Sequence, residues 1–287
     1  MSRAAVRRAC TALALALLAT ACAHPLEGRI WHPASGAYVD EAALWQRAAA
    51  ARHVLLGEIH DNADHHDFQR RTLEALAARG QRRALAMEQF DIEHQAAIDA
   101  ATADAEATAH AGRFDRRGWD WSLYRPLVEF AVAHAWPLRA ANRSRERLRT
   151  AVPAPTPPAA IRALEQDMID GHCGYQPPAA RLAAMVDAQR ARDQRMAAVI
   201  AAARETGSVL IAGNGHVRRD RGVPLYVNDG ALLVIGQLEV RSGIDAPADY
   251  VSGGFATATS YDYVRFTAAA SRPDPCAGFR AGASGAR

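Results

Sequence analysis

Four times in this chain a short apolar run breaks off at a polar or charged side chain. Val54-Leu55-Leu56 passes through Gly57 into Glu58-Ile59-His60, and Leu85-Ala86-Met87 ends on Glu88. Leu138-Arg139-Ala140-Ala141 ends on Asn142, and Val209-Leu210-Ile211-Ala212 opens into Gly213-Asn214-Gly215-His216. Runs this short, separated by helical patterns, describe buried parallel strands joined by crossover helices. The expected fold is α/β: a central, mostly parallel or mixed sheet flanked by helices, with a helical insertion or subdomain. Ligands of such sheets bind outside the carboxyl ends of the strands. Glu58, His60, Glu88, Asn142 and His216 are therefore expected at one edge.

The periodicity predicts strands over His53–Leu56, Arg83–Met87, Pro137–Ala141 and Ser208–Ala212. Later strands are expected at Pro224–Val227, Ala231–Val240 and Tyr261–Thr267, partly antiparallel. Helices are expected over Asp40–Arg52 with Asp40 as its cap, Asp64–Arg79 with Gly80 as its stop, and 122–135. Two more follow a proline-rich linker at 152–158, over Ala159–Asp170 and Pro178–Glu205. The domain is drawn as 41–267, with 268–287 read as a disordered tail.

The chain has no lysine, so all 34 basic residues are arginine and neither a Schiff base nor a P-loop lysine is available. Arg3, Arg7 and Arg8 supply the whole net charge of +3. They precede the apolar stretch Ala12–Leu18 and the small residues Ala19-Thr20-Ala21, which read as a signal peptide over 1–21. Cys22 then falls where a lipoprotein carries its lipid, with 22–40 as the lipidated N-terminus and linker. Removing 1–21 leaves a neutral chain with no basic field for nucleic acid. Cys173 and Cys276 remain; in an oxidising compartment they pair, or they stay as two thiols.

Glu58 and His60 stand two residues apart, a spacing that turns both side chains the same way in extended backbone. With Glu88 and His216 they form a set of ionisable groups directly after buried runs, where charge is costly unless paired or liganded. Arg218, Arg219 and Arg221 are either cations for a ligand's carboxylates or a solvated charge run. His172 and Tyr175 sit in a Gly- and Pro-bounded turn, and His65 and His66 are read as solvated. Tyr124 followed by Arg125 is a pair that suits a haem iron and a propionate.

Gly57-Glu58-Ile59-His60, Ala86-Met87-Glu88-Gln89-Phe90, the stretch from Trp119 to Pro126, Gly171-His172-Cys173-Gly174 and Ala212–Asp220 together resemble the ChaN family of iron-regulated lipoproteins. That family belongs to the haem-binding uptake, Tiki-type superfamily, which also holds Tiki metalloproteases and erythromycin-esterase-like hydrolases. The resemblance runs from about Leu44 to Val240. It implies an exported, outer-membrane lipoprotein that binds haem non-covalently for iron uptake, beside an importer and as a homodimer. Haem ligation through tyrosine is implied, with Tyr124, Tyr175 and Tyr226 as candidates; Arg125, Asn142, His172, His216 and Arg218 complete the expected pocket. The hydrolase relatives imply an alternative. In it Glu58, His60, Glu88 and His216 bind a divalent metal or activate water.

Overall fold

The computed structural model describes residues 24–101, 104–228, 230–251, 257–274 and 276–277. Cys22 and the signal segment 1–21 lie outside the described residues. An eight-stranded mixed sheet runs through the molecule in the order β2-β1-β8-β7-β3-β6-β4-β5. Its strands are β1 (Ile30–His32), β2 (Ala37–Val39), β3 (His53–Glu58), β4 (Ala84–Asp91), β5 (Leu138–Asn142), β6 (Ser208–Gly213), β7 (Leu232–Glu239) and β8 (Tyr263–Thr267). From β8 to β5 every pairing is parallel; only β1 runs antiparallel to its neighbours β8 and β2. Two expectations are corrected. Residues 30–39, expected within a linker, form a hairpin, and the expected strand at 224–227 falls largely in a 3-10 turn, Val223–Tyr226, whose Pro224 removes a ladder donor.

The helices are α1 (Glu41–Ala50), α2 (Ala63–Ala77), α3 (Gln95–Ala100), α4 (Ala105–Ala111), α5 (Trp121–Ala133), α6 (Arg145–Arg149), α7 (Pro158–Asp170), α8 (Ala179–Ala202) and the single turn α9 (Asn214–Val217). Side-chain alternation along the strands divides the core into two layers. Val54, Leu56, Leu85, Met87, Val209 and Ile211 face α1, α2 and α5, meeting Leu44, Phe68, Leu73 and Leu127. Leu55, Ala86, Leu210, Ala212 and Val234 face the other way, onto Met196, Ala197 and Ile200 of α8. Each such leucine or isoleucine, fully withdrawn from water, contributes roughly 1.5–3 kcal/mol before entropy is charged against it.

Caps set where the helices begin. Asp40 accepts from the Ala43 N–H at 2.7 Å at the start of α1, and Asp120 accepts from the Ser122 N–H at 2.9 Å at the start of α5. The chain leaves β3 for β4 on one side of β6, and leaves β6 for β7 on the other side of β3. The β3–β6 border is thus the topological switch point, where the carboxyl ends open a crevice. Glu58 and Gly213 are register partners there.

The tail does not hang free over its described part. Ala268 O accepts from Asn62 Nδ2 at 2.9 Å, and Arg272 bonds to Asp61 at 2.7 Å and to Glu239 at 2.6 Å. Beyond it, Cys276 is disulfide-bonded to Cys173 in the turn between α7 and α8. A Pro/Gly-rich composition concealed these anchors, because a specific side-chain partner elsewhere in the chain has no local signature.

Candidate active or ligand site

At the switch point Glu58 closes β3 with its carboxylate inside the protein, only 2% exposed. Its Oε1 accepts from Tyr124 Oη at 2.6 Å, from His60 Nδ1 at 2.8 Å and from Gln89 Nε2 at 3.1 Å. Its Oε2 accepts from Gln69 Nε2 at 2.7 Å and lies 3.6 Å from His66 Nδ1. Burial opposes ionisation, but the His60 hydrogen bond, the nearby His66 and the Tyr124 hydroxyl outweigh it and lower the Glu58 pKa. Such a carboxylate is an anchor with its lone pairs taken. The same carboxylate keeps Tyr124 protonated: burial, then the charge of Glu58, pushes the phenol well above its usual value.

His60 leaves this anchor towards the crevice. Its side chain is 43% exposed and its ring meets the edge of Trp119 at 4.6 Å. Burial of the ring disfavours its charge, yet the bond to Glu58 and the charge of Glu88 raise its pKa. Gly213 makes room for it. A Cβ there would stand 3.0 Å from His60 Cε1 and 3.2 Å from Nε2.

A second line of charges runs beside the first. Glu88 Oε2 accepts the Gly213 N–H at 2.8 Å, and Oε1 lies 3.4 Å from His216 Nε2. His216 Nδ1 donates to Asp193 Oδ1 at 2.6 Å. Burial disfavours the imidazolium, but Glu88 and then Asp193 override it and raise His216 to about 10. Burial likewise acts against the Glu88 carboxylate, but His216, His60 and the Gly213 N–H hold it down to about 2. At neutral pH this is a buried imidazolium between two carboxylates, a poor base with both ring nitrogens engaged.

The structure thus brings Glu58, His60, Glu88 and His216 together as the sequence suggested. It adds Asp193, Gln69, Gln89 and His66, which sequence reasoning missed. Asp193 had a signal: it falls in the buried stripe of α8 with Val186, Met196 and Ile200, where a carboxylate requires a partner. Gln69 and His66 share a buried face of α2 with Phe68 and Leu73. His65 and His66, expected to be solvated, are both buried. His65 Nδ1 accepts the Ile59 N–H at 2.9 Å and its Nε2 meets Thr267 Oγ1 at 2.9 Å, and burial first of all lowers its pKa to about 4.

Several other expectations are corrected. Tyr124 is wholly buried and points at Glu58, so it cannot reach an iron without surrendering that bond. Arg125 lies on the outer side of α5, paired with Glu129 at 2.7 Å. Tyr226 shares a hydrogen bond with Thr156 at 2.7 Å. Asn142 accepts from the N–H of its neighbour Arg143 at 2.8 Å and makes no hydrogen bond to the cluster. His172 Nδ1 bonds to Met168 O at 2.6 Å in an exposed turn. The arginines after His216 are each paired with an acid of the protein, Arg218 and Arg221 buried and Arg219 partly exposed. Arg218 holds Asp220 at 2.6 Å, Arg219 holds Asp262 at 2.6 Å, and buried Arg221 holds Asp167. Tyr175 alone of the three tyrosine candidates is exposed, at 49%, with its hydroxyl unpartnered among the described residues.

A divalent metal does not fit the four-residue set. Glu58 spends its oxygens on neutral donors and His60, Glu88 on Gly213 and His216, and His216 its Nδ1 on Asp193. Among the described residues no group of three or more His, Cys, Asp or Glu is placed to hold a metal ion.

A largely parallel sheet with a buried carboxylate–histidine cluster at its switch point defines an α/β protein with a candidate site at the strands' carboxyl ends. The family model described as haem-binding uptake, Tiki superfamily, ChaN matches residues 44–227, and the chain belongs to that family. A solved structure titled as cofacial heme binding to ChaN of Campylobacter jejuni is similar at 21% identity and TM-score 0.69, over 82% of this chain and 95% of that one. Lower similarity extends to a mutant erythromycin esterase in its open conformation, at 10% identity and TM-score 0.47 over 82% of this chain and 94% of that one. The type III effector HopBA1 stands at 18% identity and TM-score 0.45, over 86% and 99%. At 21% identity the Campylobacter structure shows the fold alone. No curated protein matches the chain.

Proposed function

We propose that this protein binds haem non-covalently for haem or iron uptake, with Tyr175 as the iron ligand. Family membership supports the cargo, and one observation carries the choice of ligand. Of the three tyrosines, only Tyr175 presents a hydroxyl without a protein partner among the described residues. Its turn is held on both sides, by the disulfide at Cys173 and by the start of α8 after Pro178. Tyrosine ligation suits a site that holds ferric haem and must release it. A half-exposed ligand favours a haem sandwiched between two copies, in keeping with the cofacial haems named for the Campylobacter relative.

The segment 1–21 and Cys22 would deliver a lipid-anchored chain to the outer membrane, facing the periplasm or the cell surface beside an importer. Labelled palmitate should enter the full chain, and Cys22→Ser should abolish it. For the haem reading, titration of the chain from Ala23 should give a saturable Soret shift that Tyr175→Phe removes. An unaltered shift in that variant would assign the ligand elsewhere.

A hydrolase reading is favoured by one group, His60, whose Nε2 makes no hydrogen bond among the described residues and faces the crevice. Turnover of a small ester, lost in His60→Ala and kept in Tyr175→Phe, would support it. Glu88 and His216 are spent on each other and would position rather than react.

A further inference from the structure

Arg70, Arg71, Arg190, Arg218, Arg265 and Arg272 each sit within ion-pair distance of a carboxylate. Three half-buried arginines that are not matched in this way stand on or directly after neighbouring elements, β5 and α8. Arg143 follows the last residue of β5, and its Nε is buried without a hydrogen-bond partner. Arg195 on α8 is in the same condition at Nε. Arg192, one turn earlier on the same face of α8, makes only a 3.2 Å bond to Gln189 Oε1. None of the three forms an ion pair among the described residues.

Their placement joins the site already described. Asp91 pairs in register with Asn142, so the carboxyl ends of β4 and β5 bring Arg143 beside the strand that carries Glu88. Arg192 adjoins Asp193 in the chain, and the charges that act on it are Glu88, Asp193, Asp91 and Arg145. Burial, and then the charge of Arg195, lowers the Arg143 pKa. Glu93 is the one carboxylate among the charges acting on Arg143, against the two guanidinium groups of Arg195 and Arg147, and a bound anion would offset that excess of positive charge.

We propose that Arg143, Arg192 and Arg195 form an anion subsite at the carboxyl end of β5, beside the Asp193–His216–Glu88 line, that takes a carboxylate of the bound ligand. The inference rests on the haem reading in naming that carboxylate as a propionate. Guanidinium forks suit carboxylates because two parallel N–H groups meet two oxygens.

The test compares haem with haem dimethyl ester, whose propionates are blocked, on the chain from Ala23 and on its Arg143→Gln/Arg195→Gln variant. Wild type should bind free haem at least about tenfold tighter than the ester, and the variant should lose that preference with its Soret maximum unchanged. A variant that keeps the full preference would overturn the subsite while leaving haem binding intact. If wild type binds no haem, the functional reading fails, and thermal unfolding with citrate decides the subsite separately. A rise in Tm seen in wild type and absent in the variant sustains it, and equal responses end it. Should the double variant not fold, Arg195→Gln alone serves the same comparison.

Discussion

Tyr124 and Tyr175 are the same side chain set to opposite tasks, and the difference comes from helix phase. In the sequence Tyr124-Arg125 is an attractive iron-and-propionate pair. Consecutive helical residues, however, point about 100° apart, so the two cannot serve one ligand from the same helix. The structure turns Tyr124 inward to Glu58 and Arg125 outward to Glu129. Tyr124→Phe should therefore lower the unfolding free energy by about 1–3 kcal/mol in urea, as a buried carboxylate loses a donor. Tyr175→Phe should leave stability within about 0.5 kcal/mol, since it is a surface position, and remove the haem signal. A second residue-scale expectation concerns Asp193. Asp193→Asn removes one of the two anions that hold His216 at about 10, so an NMR titration should find the imidazole pKa lower. An unmoved value would mean that Glu88 alone sets it.

Among the elements, the strand ends were the most legible part of the chain and the tail the least. The strands β3, β4, β5 and β6 announce themselves by runs of mostly buried side chains, and their ends by the first group that needs water or a partner. Gly213 is such an end. Because a Cβ there would press on His60 at 3.0 Å, Gly213→Ala should displace that ring. The expected result is a shifted His60 titration, with stability reduced by about 1–3 kcal/mol. The tail has no hydrophobic period, and its order derives from Arg272 and Cys276 finding Asp61, Glu239 and Cys173. The disulfide closes a loop of 103 residues. Replacing both cysteines by serine should cost about 2–4 kcal/mol in denaturant unfolding, as the unfolded chain regains freedom. No change in the unfolding midpoint would show that the bridge adds nothing to the tail's other anchors.

For the molecule as a whole, the charge line at the switch point predicts a pH profile. His216 rises from 6.5 to about 10 on folding, so its stabilisation is complete below 6.5 and is lost as pH climbs through about 10. Glu88 falls from 4.5 to about 2, so its contribution is present above 4.5 and disappears as pH drops towards about 2. Urea unfolding should accordingly show the wild type weaker at pH 9.5 than at pH 6, by about a few kcal/mol, with a flatter alkaline limb in His216→Gln. Parallel alkaline limbs in the two proteins would contradict the buried imidazolium.

The α/β class, the strands β3, β4, β5 and β6, and the gathering of Glu58, His60, Glu88 and His216 at one edge could be read from the local pattern of residues. Hydrophobic period and the cost of burying charge are local properties that a reader can follow along the chain. Only the tertiary structure decided which partner each polar group took. It set Tyr124 against Glu58, Asp193 against His216 and the Arg218–Arg221 run against acids, and it left Arg143, Arg192 and Arg195 with no ion pair among the described residues. Those choices depend on packing between helices and strands far apart in sequence, where a turn of 100° or a neighbouring acid reverses a side chain's role.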